Sequence, residues 1–177
     1  MSLQLILIVW HACGALALVA VACGQLVRLS LAPRVTSCLQ GLAFSAGALL
    51  TMLAPADLGS VSIDGRTVFI GLAGAFVGLP GALICAGAVL AARLQVPDFP
   101  AVGEAIAVLT PLCLGRLWSR FVHRRVGSSF LGLAALALVI SSTLLLLLFR
   151  HPPEAGVDLL ASCWPPIMLI ALVSAQL

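Results

Sequence analysis

The chain has no lysine and no tyrosine, and only 8% of its 177 residues are charged. Soluble domains carry about 25% charged residues, so a water-facing shell around an ordinary core is excluded. The basic residues are all arginine, and outside the loops they form no stripe interleaved with aromatic residues, which removes nucleic acid as a partner. There is no HExxH, no phosphate-binding glycine loop, no Ser-His-Asp set and no pair of neighbouring catalytic carboxylates, so a catalytic site is not expected and the chain is not read as an enzyme. The six cysteines, Cys13, Cys23, Cys38, Cys85, Cys113 and Cys163, include no CxxC, and thiols within apolar runs act as small hydrophobes. With His123 and His151 in loops and His11 alone in the first run, neither a metal nor another cofactor is expected. Ala20-Val21-Ala22-Cys23 loosely matches a lipoprotein cleavage site, but no positively charged leader precedes it, and further spans follow.

What the chain has is apolar length. Hydrophobic residues make up 62% of it and the mean hydropathy is +1.22, the composition of an integral membrane protein. A spanning helix needs about 20 apolar residues. Such runs fall at roughly 3–27, 35–55, 67–92, 101–118, 127–149 and 159–177. The expected fold is therefore an all-α membrane protein, a compact bundle of about six transmembrane helices forming one domain over 1–177. The last run begins with Pro165-Pro166 and stops at Leu177 without a polar flank, so Leu177 reads as a domain edge with an output domain after it.

Polar punctuation joins the runs. Arg28 to Arg34, with Pro33, is a tight turn; Pro55 to Arg66 is a longer loop; Arg93 to Pro100 carries Asp98 between two prolines. Arg116, Arg120, Arg124 and Arg125 then form the densest cationic cluster, read as a topology signal that touches anionic lipid headgroups. Six single crossings place Arg66 with that cluster on one side and Arg28, Arg34, Arg93 and Arg150 on the other. The cluster is taken as cytoplasmic, with both termini inside.

The third run carries the most information. Gly71, Gly74, Gly78 and Gly81 step by three or four residues, which predicts one helix face open to close approach by a neighbour. Pro80 removes the amide that would bond to Phe76, so this glycine-rich third helix is expected to be kinked at Pro80, or broken there, where the glycines crowd.

An arginine stands at each end of that run. Arg66 follows Asp64 and Gly65 at a helix start; it is either an interfacial anchor or an anion ligand, since a helix N-terminus and a guanidinium fork together receive a carboxylate well. Arg93 is a snorkelling residue, a ligand group, or one half of an ion pair with Asp98 or Glu104. Glu104 near the start of the fourth run would be costly unpaired. Asp64, Arg66, Arg93 and Glu104 are the candidate ligand-binding residues.

The order of these features resembles a known family. Gly41-Leu-Ala-Phe-Ser-Ala-Gly-Ala-Leu-Leu-Thr-Met-Leu-Ala-Pro55, then Ile63-Asp-Gly-Arg66, then Gly71-Leu-Ala-Gly-Ala-Phe-Val-Gly-Leu-Pro-Gly81 and Ala91-Ala-Arg-Leu94 are similar to the five-transmembrane LYT receptor domain. That domain is the membrane sensor region of LytS-type sensor histidine kinases and related diguanylate cyclases. Asp64 and Arg66 match its Asp/Asn-x-Arg start to the third span; its glycine-glycine-proline step is loosened here to Gly78-Leu-Pro80-Gly81, and Arg93-Leu94 leads into Gln-Val-Pro-Asp-Phe-Pro where the family has a glycine-rich turn. The resemblance implies a bacterial inner-membrane sensory domain that binds a small metabolite, for example a carboxylate, and signals to a cytoplasmic kinase or cyclase; a homodimer is expected. The helix plan is also similar to the substrate-binding subunits of energy-coupling-factor transporters, which gives the rival reading of a transport subunit.

Overall fold

A computed structural model describes residues 3–53, 56–58, 61–63, 65–95 and 101–121, together with Leu136 and Val139. Apart from those two positions, the expected spans at 127–149 and 159–177 lie outside the described residues, as does Asp64. Helix α1 covers Leu3–Arg28, α2 Pro33–Met52, α3 Arg66–Phe76, α4 Leu79–Leu94 and α5 Ala101–Phe121, and a short hairpin of β1 (Ala56–Leu58) and β2 (Val61–Ile63) precedes α3. Trp10–Arg28 and Pro33–Met52 are long and apolar enough to cross a membrane. The hairpin lies in the expected loop between the second and third runs. Its strands pair antiparallel, Ala56 opposite Ile63 and Leu58 opposite Val61, with two residues between them in sequence.

Apolar residues lie both inside and outside the bundle, with alanines prominent among the buried ones beside larger residues such as Phe69, Ile70 and Trp118. Ala12, Ala15, Ala48, Ala73, Ala82 and Ala86 are buried, while Trp10, Leu18, Val21, Leu42, Leu83, Ile106 and Leu117 are exposed. In water that surface would be a large aggregation-prone patch. Against lipid it costs nothing, and small residues within let helix backbones approach.

The α1–α2 turn follows from local geometry. Ser30 adopts a left-handed conformation (φ 49°) just past the end of α1, and Pro33 starts α2, where a missing amide is tolerated. The two helices then run antiparallel: Gly47 of α2 lies against Val19, while Thr51 and Ala12 meet beside Gly65.

The expected third span is two helices running in opposite directions. Arg66 begins α3 and Arg93 lies in the last turn of α4, yet both reach the carboxylate of Glu104. One continuous helix over this run would hold them about 40 Å apart. The chain instead reverses at Val77 and Gly78. Helix α3 descends along α2, with Gly65 beside Thr51 and Phe69 beside Gly47, and α4 climbs back along it, with Gly81 beside Ser37 and Cys85 beside Ser45. Helix α5 runs parallel to α3, pairing Glu104 with Arg66, Leu112 with Gly74, and Arg116 with Val77.

Two expectations change with this reversal. Pro80 lies in the first turn of α4, where its ring starts a helix and breaks no hydrogen bond; the break is at Val77, which is extended (φ −95°, ψ 148°). The glycines divide into two contacts. Gly71 and Gly74 meet α5, where a side chain on Gly115 would strike the Gly71 carbonyl and one on Gly74 would lie 2.6 Å from the Leu112 carbonyl. Gly78 and Gly81 meet α2 at Ser37, and Gly41 meets Gly81. Arg93 accordingly shares an end of the bundle with Arg66 and does not face the opposite side.

Candidate functional site

The reversal brings three of the four candidate ligand-binding residues together. Glu104 is 3% exposed and Arg66 9%. Nη2 of Arg66 lies 3.0 Å from Oε2 of Glu104. Arg93 donates as a fork, Nε to Oε2 at 3.4 Å and Nη2 to Oε1 at 3.3 Å. Both carboxylate oxygens are therefore held, one of them by two guanidinium groups. Of the roles open to Arg93, the ion pair with Glu104 is formed.

Helix dipoles explain which of these charges is out of place. Glu104 lies in the first turn of α5, where the positive end of the helix favours an anion, and Arg93 in the last turn of α4, where a cation is favoured. Arg66 opens α3, at an end that repels a cation. An anion alongside offsets that repulsion, and Glu104 supplies one 3.0 Å from Nη2. Gly65 caps α3 without a side chain, packed beside Thr51 and Ala12, so the arginine is delivered from a tight corner between α1 and α2.

The opposite end of the α3–α4 hairpin is held by two residues that the sequence reading did not single out as site residues. Nη1 of Arg116 donates to the Val77 carbonyl at 3.3 Å, and the amide of Gly81 donates to Ser37 Oγ at 3.3 Å. Arg116 belongs by sequence to the cationic cluster, yet it lies within α5 and its guanidinium serves the reversal. Gly78 has an ordinary backbone conformation (φ −59°), so what requires glycine there is the approach of Ser37. A buried serine or a guanidinium beside a helix break is the available signal, and neither stands out in an apolar run.

Other features lie apart from this cluster. A groove of about 350 Å³ between α1, α2 and α3, lined by Leu16, Val19, Phe44, Leu72 and Phe76 among others, has Gln40 as its polar residue. His11 is exposed on α1. Among the described residues no group of three His, Cys, Asp or Glu could hold a metal ion.

Many large apolar side chains on the outside, close glycine contacts between helices, and the buried charges Arg66 and Glu104 paired with each other are the arrangement of an integral membrane domain. The family model described as the 5TMR of 5TMR-LYT matches residues 22–177, and the chain belongs to that family of sensory membrane domains, which are not catalytic. The match includes α2 to α5 and so every residue of the charged cluster. No curated protein and no solved structure matches the chain.

Proposed function

We propose that this domain binds a small carboxylate-bearing metabolite at the open end of the α3–α4 hairpin and signals its presence to a cytoplasmic histidine kinase or diguanylate cyclase. The convergence of Arg66 and Arg93 on one buried carboxylate carries this reading. Two guanidinium forks at a helix N-terminus form a receptor for a planar anion, and the family is one of sensory domains. Asp64, next to Gly65 and Arg66 in sequence, completes the proposed site. The domain acts as a homodimer surrounded by lipid in a bacterial inner membrane. A ligand switches it by favouring one of two packings that differ by only a few kcal/mol.

The arginines also support an orientation. Arg28 and Arg34 flank the α1–α2 turn and Arg120 lies in the last turn of α5, all at the end of the bundle away from Glu104. Arg124 and Arg125 follow in sequence. That end is the cytoplasmic one by the positive-inside rule, so Arg66, Arg93 and Glu104 face outward. Because α4 returns to the end at which α3 starts, and neither helix has the length of a span, the run at 67–92 makes no net crossing. The start of α1 is then outside, and the runs at 127–149 and 159–177 return the C-terminus to the cytoplasm.

Thermal stabilisation of the purified domain by a panel of small carboxylates tests the reading. A shift that is lost in Arg66→Ala is expected; no shift with any of them, or one unaffected by that change, overturns it. The transport-subunit alternative draws on the discontinuous third span, since broken helices build solute sites in transporters. It requires copurification with an ATPase and uptake into reconstituted vesicles, neither of which a sensor shows.

A further inference from the structure

We infer that Glu104 is an internal stand-in for the ligand: its carboxylate occupies the position that a free carboxylate takes, and ligand binding is an exchange of one anion for the other. This deepens the carboxylate-receptor reading and rests on it. Both oxygens of Glu104 are held by Arg66 and Arg93. Glu104 takes the donors through which the two arginines converge, Nη2 of Arg66 and the Nε and Nη2 of Arg93, so a second carboxylate that uses those same donors competes with it. Binding of a ligand to those donors therefore requires that Glu104 leave.

That exchange has a mechanical consequence because of where Glu104 is attached. Helix α5 is tied to the hairpin at both ends, by Glu104 at the open end and by Arg116 on the Val77 carbonyl at the reversal. Between them the helix lies in backbone contact at Gly71, Gly74 and Gly115. Release of Glu104 frees one end of α5 while Arg116 and the glycine contact retain the other. The helix can then pivot, and its freed residue is the acidic one in its first turn. Because one carboxylate replaces another, the arginines keep an anionic partner in both states.

The test is chemical rescue of the full chain by acetate, read as melting temperature in lipid nanodiscs. Glu104→Ala removes the stand-in and leaves room for acetate; Glu104→Gln keeps the volume and removes the charge. Acetate is expected to stabilise both variants saturably, at concentrations about ten- to a hundredfold below any that affect the unaltered protein, the range that one charged hydrogen-bonding partner commands. Adding Arg66→Ala to Glu104→Gln should abolish the response. A variant that can be purified only with acetate present supports the inference, and one that fails with and without acetate counts against it. If both variants respond to acetate no better than the unaltered protein, Glu104 is a fixed structural partner and the inference is wrong. Failure of every metabolite to stabilise the unaltered protein would overturn the sensor reading yet leave a positive rescue standing, so the two are separable.

Discussion

Arg66 and Arg93 begin and end a glycine-rich apolar run, and both donate to Oε2 of Glu104. This shared oxygen excludes a single straight or gently kinked third span, because the ends of such a helix could not meet. It also makes the cluster a closure: α3, α4 and α5 are joined at one end by charge. Removing Arg66 should therefore be costly. Arg66→Ala leaves a buried carboxylate with one guanidinium, and loss of a partner in a buried ion pair costs about 3–5 kcal/mol. Arg66→Lys keeps the charge without the planar fork and should fall between the two. Thermal melts in detergent would rank the three proteins, and a silent Arg66→Ala would reduce Arg66 to an interfacial anchor.

Sidedness tests the reversal without any ligand. Ser62 in β2 precedes α3, and Gln95 is exposed just past the end of α4. A chain that reverses between them returns to the side it left. In a background lacking the native cysteines, Ser62→Cys and Gln95→Cys should be labelled by a membrane-impermeant maleimide from the same side. Ser30→Cys, in the α1–α2 turn, should be labelled from the other. Labelling of the first two from opposite sides would restore a single third crossing.

The sequence made the charged partners visible and concealed the turn that unites them. Arg66, Arg93 and Glu104 stand out because ionised side chains are rare in apolar runs. The reversal does not, since a turn exposed to water is normally marked by polar residues. Here the backbone groups freed at the turn are met by Arg116 and Ser37 from neighbouring helices, so Val77-Gly78-Leu79-Pro80 stays apolar. Length does not mark the turn either: the run at 3–27 is nearly as long as that at 67–92 and forms the single helix α1. The glycines were legible as sites of close approach, but their division between α2 and α5 depends on the turn.

Those glycines are not equivalent, and the difference can be measured. Gly115→Ala and Gly81→Ala would drive a methyl group into the backbone of a facing segment, at Gly71 and Ser37 respectively. Overpacking of this kind costs about 1–3 kcal/mol, and backbone cannot swing aside as a side-chain end can. Gly14→Ala and Gly87→Ala meet open space, so they should be neutral or stabilise by up to about 1 kcal/mol through helix propensity. If all four changes have the same effect, the close helix contacts are not those described.

Arg116 offers the most discriminating substitution because two roles predict different results. As a topology signal, it would be replaceable by lysine, and by alanine too, with Arg120, Arg124 and Arg125 still in place. As the donor to the Val77 carbonyl, it supports a backbone group that would otherwise be freed by the helix break. Arg116→Ala should then lose about 1.5–3 kcal/mol, the worth of a hydrogen bond from a charged group. Arg116→Lys should recover only part of it, since an ammonium on a shorter side chain must reach the same carbonyl. Ser37→Ala, which removes the acceptor for the Gly81 amide, should cost about 0.5–1.5 kcal/mol. Arg116 and Ser37 act on opposite sides of one turn, so the double variant should depart from the sum of the single losses. Melting curves of the four proteins would give that coupling, and strict additivity would mean that the two residues stabilise α5 and α2 independently and do not hold a common turn.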